Sequence, residues 1–203
     1  MTVIEVFADV ACPFTHVGLR RFVAERAKRD RPDVSLWVRA WPLEIVNGEP
    51  LDPRFIAEEV NDIRRQIAPD LFAGFREAAF PASSLPALAL AAAAHDADPA
   101  TGEIVSLALR DLLFEHGTNI ANPDVLQGLA ASHHLAVDVG QTQRALDDHA
   151  EGAARGVVGS PHFFTPGGGY FCPALDIHRD TDGHLHISTD EAGFLTFIAS
   201  CFE

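Results

Sequence analysis

The chain has 203 residues, 47% of them hydrophobic and 22% charged, with a formal net charge of −14. Such a length and balance supply a real core and exclude wholesale disorder. No apolar run reaches the ~20 residues of a membrane span, and so acidic a surface is a poor partner for nucleic acid or an anionic bilayer.

Met1 to Phe7 carries Glu5 and no basic flank, too short an apolar stretch for a signal peptide, so a cytoplasmic location is expected. The three cysteines are too few, and odd in number, for a disulfide framework. A cysteine placed in a motif is then more readily chemical than structural.

In chain order, Val3, Ile4, Val6 and Phe7 make a short apolar run suited to a buried strand. A helix follows at once, with Cys12 in the N-cap position and Pro13 at the first helical position, where proline is favoured. Leu19, Phe22 and Val23 recur at helical spacing, and Arg31-Pro32-Asp33 ends the helix. Val34, Leu36 and Val38 then alternate with Ser35, Trp37 and Arg39, a period-2 strand. Residues 3–41 thus read as a βαβ unit with a parallel strand pair.

From about 48 to 155 the pattern is helix after helix. Asp52-Pro53, Asp98-Pro99 and Asn122-Pro123 each put a capping side chain before proline, and Ser84 is a further candidate cap for a buried helix from Leu85 to His95. Ile104, Leu107, Ala108 and Leu112 are expected to form the buried face of one helix, which Gly117 terminates. Leu126, Leu129 and Ala130 do the same for the next.

Strand signals return with His162-Phe163-Phe164 after Pro161, and Gly167-Gly168-Gly169 turns the chain into Tyr170-Phe171-Cys172, a hairpin. A second hairpin is expected from Asp176–Asp180 and His184–Ser188 around Asp182-Gly183. Ser188 and Glu191 have capping-box spacing for a last helix, whose apolar face would be Phe194, Leu195, Ile198, Cys201 and Phe202. The expected fold class is α/β: a βαβ half (1–47) and a ββα half (156–203) sharing one sheet, a thioredoxin fold, with a helical insertion (48–155).

The sharpest chemical signal is Asp9-Val10-Ala11-Cys12-Pro13-Phe14-Thr15, between a strand and the first turn of a helix. A thiol there faces unpaired backbone N–H groups and the positive end of the helix dipole, both of which favour thiolate. Cys12 is therefore a candidate nucleophile; the plainer reading is a small capping residue. Asp9 either holds the loop or accepts a proton. The second signal is Gly156-Val157-Val158-Gly159-Ser160-Pro161, where a proline opens a strand and needs an edge or a special turn. A cis peptide at Pro161 would leave the Ser160 backbone free to pair with an extended partner, but spacing alone favours a trans turn proline, the far commoner form.

Together these two segments resemble the DsbA-like family of thioredoxin-fold proteins, its cytosolic FrnE-like branch in particular. Leu113-Phe114-Glu115-His116-Gly117, Asn119 and Asn122-Pro123-Asp124-Val125-Leu126 resemble that family's helical insertion. The resemblance implies a disulfide oxidoreductase with Cys12 as nucleophile, a cis Pro161 against it, and Pro13, Phe14, Ser160 and Pro161 on the substrate. The family's second motif cysteine is Thr15 here. Thr15 cannot attack sulfur, but it can hydrogen-bond the Cys12 thiolate. The implied cycle is monothiol, resolved by glutathione or another low-molecular-weight thiol acting as co-substrate, with no tightly bound cofactor.

Cys172 is the internal candidate resolver, but an edge strand is expected to hold it beyond the ~7 Å between Cα atoms that a disulfide allows, and it reads as a half-buried strand residue. Cys201 reads as core. His184 and His186 would share one strand face with His178 across the turn; they read as surface histidines, and no metal is expected. His16 and His162 either line the site or serve packing. Kappa-class glutathione transferases and 2-hydroxychromene-2-carboxylate isomerases share the fold and keep a serine near the position of Cys12, so a glutathione-dependent transferase or isomerase is the alternative. A non-catalytic peptide-binding module is the third reading.

Overall fold

The computed structural model describes residues 2–138 and 140–202. β1 (Thr2–Ala8) and β2 (Val34–Ala40) pair in parallel, Thr2 opposite Val34 through to Ala8 opposite Ala40, and α1 (Pro13–Lys28) makes the crossover. β3 (His162–Thr165) runs antiparallel on the other side of β1, and β4 (Gly168–Phe171) antiparallel on β3. The sheet order is β2-β1-β3-β4, so the two halves of the chain share one sheet in a thioredoxin fold, as expected.

Between β2 and β3 lie α2 (Leu43–Asn47), α3 (Pro53–Gln66), a 3-10 turn (Glu77–Ala79), α4 (Leu85–Ala97), α5 (Pro99–Phe114), α6 (Pro123–Ser132) and α7 (Gln143–Ala154), with no strand among the described residues. Each Asx-Pro start works as its chemistry requires. Asp52, Asp98 and Asn122 accept from the backbone N–H of Arg54, Thr101 and Asp124 respectively, satisfying an orphan donor of the first turn. Ser84 does not cap α4 with its side chain; its hydroxyl donates to Asp9 instead, at 3.0 Å.

The C-terminal region departs from expectation in three places. Thr165 pairs with Gly168, so Pro166-Gly167 makes the turn and Gly168 and Gly169 are already strand. The second hairpin, β5 (Leu175–Arg179) and β6 (Leu185–Thr189), forms a separate two-stranded sheet rather than joining the first. It docks on α3, where the Gln66 amide donates to Leu185 O and accepts from Ile187 N, each at 2.9 Å. α8 (Glu191–Phe202) is capped by Asp190, whose carboxylate accepts from Gly193 N at 2.8 Å, not by Ser188, which belongs to β6. Its buried face includes Phe197, which packs on Phe22 of α1, while Leu195 is 56% exposed.

The buried face of α5 also differs from the expected one. Ile104 is 53% exposed, and Val105, Leu109 and Leu113 face inward together with Glu103, Ser106 and Arg110. The reason lies in β2, whose outer edge has no strand partner. Unpaired strand N–H groups need acceptors once buried. Leu36 N donates to Glu103 of α5 at 2.8 Å, Val38 N to His95 Nε2 of α4 at 3.2 Å, and Ala40 N to Asp148 of α7 at 3.1 Å. Three helices thus finish the sheet edge with side chains.

Two stability measurements test this arrangement. Burial pushes the His95 imidazole down to about 4 from 6.5, so the neutral ring's contribution is whole above pH 6.5 and is lost as pH falls toward 4. Between those values the wild type should lose on the order of 2–3 kcal/mol more than His95→Gln, measured by urea unfolding. A methyl group on Gly102 would meet His95 Cγ at 2.1 Å and its Cα at 2.5 Å. Gly102→Ala should therefore destabilise by at least ~1–3 kcal/mol through overpacking of the α4–α5 contact.

Candidate active site

The site begins where β1 stops. Cys12 has extended backbone (φ −81°, ψ 116°) and stands at the N-cap of α1, with Pro13 opening the helix. The Ser160–Pro161 peptide is cis, and the Cys12 thiol donates to the Ser160 carbonyl oxygen at 3.4 Å. Helix start and proline loop, 148 residues apart in the chain, therefore meet at the sulfur.

Thr15 is completely buried, and its hydroxyl shares a 2.8 Å hydrogen bond with the Ser160 hydroxyl. Asp9 N donates to that same Ser160 oxygen at 2.9 Å. Asp9 engages one of the two Ser160 hydroxyl lone pairs; with the Ser160 hydroxyl donating to Thr15, the Thr15 proton is left for a thiolate on Cys12.

Cys12 is only 3% exposed, and this alters the expected acidity. Burial is the largest influence and pushes the thiol up from its ordinary value; the Thr15 side chain and amide and the Ser160 side chain push it down, and the Glu59 charge adds to the rise. The lowering expected from the helix start is present in direction, but desolvation outweighs it.

Asp9 holds the loop. Its carboxylate accepts from Ala11 N at 2.8 Å, Leu43 N at 2.7 Å and the Ser84 hydroxyl, and its carbonyl accepts from Arg110 Nη2 at 3.3 Å. Arg110 is 1% exposed and also donates to Ser106 O; its Nε has no partner among the described residues. Burial pushes this guanidinium down to about 10, while the charges of Asp9 and Cys12 act to keep it protonated. Arg110 is thus a cation held behind the Cys12 loop.

Cys12 opens on a groove of about 590 Å³ that Pro13, Phe14 and Ser160 also line, so the residues expected on the substrate, other than Pro161, are brought together on its wall. Across it stands Glu59 of α3, 8% exposed, its carboxyl pushed up to about 7 chiefly by burial. Arg179 of β5 approaches it at 3.8 Å.

The other candidates fall outside. His16 is buried against Phe72 and Phe114 and bonds Glu115 at 2.7 Å. His162 accepts from Val158 N with its Nδ1 at 3.3 Å and stacks on Phe164. His178 and His186 pair across the second hairpin, and His184 and His186 both approach Asp180 at its tip. Cys172 lies just past β4 rather than within it, with φ +43°, its N–H donating to Pro161 O at 2.9 Å. It is buried rather than half-buried, and burial followed by the nearby Cys12 charge pushes its thiol up to about 12. Cys201 is core, pushed to about 12 by burial.

The DSBA-like thioredoxin domain family matches residues 3–179. The chain belongs to that family. Among solved structures it is similar to the cytosolic disulfide reductase DsbM from Pseudomonas aeruginosa, at 13% identity over 97% of each chain and a TM-score of 0.60, a protein also solved with GSH. It is likewise similar to 2-hydroxychromene-2-carboxylate isomerase, at 15% identity over 83% of this chain and 88% of that one, TM-score 0.53. At such identities the likeness is one of fold. No curated protein sequence matches. Among the described residues, no helix is long and apolar enough to cross a membrane.

Against the family motif, sequence reasoning missed Glu59 and Arg110. Each carried a signal: Glu59 sits between Ile56 and Val60 on an apolar stripe, and Arg110 follows Leu109 on another. If the Thr15 hydroxyl supports the thiolate, Thr15→Val should slow iodoacetamide alkylation of Cys12 ~5-fold near neutral pH, the value of about one hydrogen bond. In the wild type Cys12 should label before Cys172 and Cys201, as read by peptide mapping.

Proposed function

We propose that this protein is a thiol–disulfide oxidoreductase that works through Cys12 alone. One observation carries the reading: the Cys12 sulfur, at the start of α1, lies against the carbonyl of the cis Ser160–Pro161 peptide and opens on a groove, while Thr15 supplies a hydroxyl where an internal resolving thiol would stand.

In the first step the Cys12 thiolate attacks a disulfide R–S–S–R. A Cys12–S–S–R bond forms, the substrate S–S bond breaks, and RS⁻ leaves and takes a proton. In the second step an external thiolate R′S⁻ attacks the R sulfur of the mixed disulfide: an R′–S–S–R bond forms, the Cys12–S–S–R bond breaks, and Cys12 leaves as thiolate. Thr15 and Ser160 stabilise the negative sulfur before the first step and after the second, with Arg110 behind the loop. Glutathione or another low-molecular-weight thiol fills the external role, with no tightly bound cofactor. The three free cysteines suit a reducing compartment, and the reading places the protein in the cytoplasm.

The absent second sulfur also favours one rival, a glutathione-dependent transferase or isomerase in which Cys12 and Thr15 only bind the thiolate of a bound glutathione. Intact mass separates the two. A disulfide probe should add one thiol to Cys12, and that adduct should persist until free thiol is supplied. Thr15→Cys should shorten its lifetime at least ~10-fold by intramolecular attack, since effective concentrations in a preformed site are high. Tight glutathione binding without any adduct would instead select the transferase reading.

A further inference from the structure

The walls of the Cys12 groove carry three carboxylates, Glu49, Asp52 and Glu59, and no lysine or arginine. Between them the surface is apolar, with Phe14, Leu51 and Phe55. Glu59 is 8% exposed and accepts no hydrogen bond among the described residues, though Arg179 forms an ion pair with it at 3.8 Å. That cation is shared with other groups. The Arg179 guanidinium lies 4.9 Å from the Phe55 ring centroid and donates to Gly183 O at 3.0 Å. Asp52 spends one oxygen on the α3 cap, accepting from Arg54 N. The buried Arg110 stands behind the loop and is bound to Ser106 O and Asp9 O. A substrate in the groove therefore meets negative charge on its walls, within a chain of net charge −14.

We propose, resting on the disulfide-exchange reading, that this groove selects small disulfides bearing an ammonium group a few bonds from the sulfur and discriminates against anionic ones such as glutathione disulfide. The ammonium would sit between Glu59 and the rim carboxylates while the disulfide reaches Cys12. A cleft lined by one sign of charge concentrates the opposite sign and repels its own. A glutathione half carries two carboxylates and one ammonium, and is the wrong sign for this cleft; a cystamine half carries one ammonium alone. The exchange itself is unchanged: the Cys12–S–S–R bond forms, the substrate disulfide breaks, and the aminothiolate leaves.

The test compares second-order rates of Cys12 adduct formation with cystamine, 2-hydroxyethyl disulfide and glutathione disulfide, by intact mass. Each rate is divided by that of the same disulfide with N-acetylcysteine amide, which removes intrinsic reactivity. The normalised rates should fall in that order, with cystamine at least ~10-fold above glutathione disulfide at low ionic strength. Added salt should compress the span, and so should Glu49→Gln with Glu59→Gln, judged against the neutral disulfide in the same variant. Equal normalised rates, or glutathione disulfide the fastest, would overturn the selectivity and leave the exchange reading standing. No adduct with any of the three, while urea-unfolded protein reacts, would overturn the exchange reading and the selectivity with it.

Discussion

The buried carboxylate of Asp9 is the constraint on which the rest of the site depends. Placed where β1 ends, it must be fully hydrogen-bonded or cost several kcal/mol. Its partners come from separate parts of the chain: Ala11 in the motif loop, Leu43 after β2, and Ser84 before α4. Its own backbone adds Ser160 through the N–H and Arg110 through the carbonyl. Whatever positions Cys12 therefore also positions the proline loop and the first helices after β2. Desolvation pushes the Asp9 carboxyl up, and the donors and the Arg110 charge oppose it. Supplying those donors is what ties the sheet to the helices.

The same logic operates on the far side of the sheet. β2 pairs with β1 on one side and has no strand on the other; its outer-edge N–H groups meet Glu103, His95 and Asp148 instead. Arg39 then gathers Asp148 and Glu151 of α7 with Glu5 of β1. Directional polar contacts, rather than apolar area alone, set the helices' rotation against the sheet, which is how α5 comes to present Arg110 to Asp9.

Much of this was legible. The Asx-Pro helix starts and the βαβ unit follow from local chemistry, because caps and strand alternation are short-range properties, whereas the meeting of Cys12 with Pro161 was implied by the resemblance to the DsbA-like family and not by spacing. The face of α5 was not. Ile104, Ala108 and Leu112 satisfy helical spacing as well as Val105, Leu109 and Leu113 do, the two sets differing by one residue of rotation. What separates them is the demand of distant backbone for Glu103 and Arg110, and no local pattern contains it. Glu59 was hidden in the same way, a charged residue beside an apolar stripe that reads as solvent-facing until the opposite wall is present. The acidity of Cys12 was misjudged for a related reason: the helix start is visible in the sequence, but the depth of burial is a tertiary property.

The Gln66 amide has a consequence for the geometry of the groove. By donating to Leu185 O and accepting from Ile187 N, one side chain occupies the bonding edge of β6 as a neighbouring strand would. Strand side chains alternate, and Leu185 and Ile187 point inward while His186 points out. A shift by one residue would bring His186, whose N–H and C=O face β5, opposite the Gln66 amide and leave that amide unpaired, and a shift by two would move Leu185 and Ile187 off the places they fill. The hairpin can therefore sit only at discrete notches along the helix, and the reach of Arg179 toward Glu59 is quantised rather than adjustable.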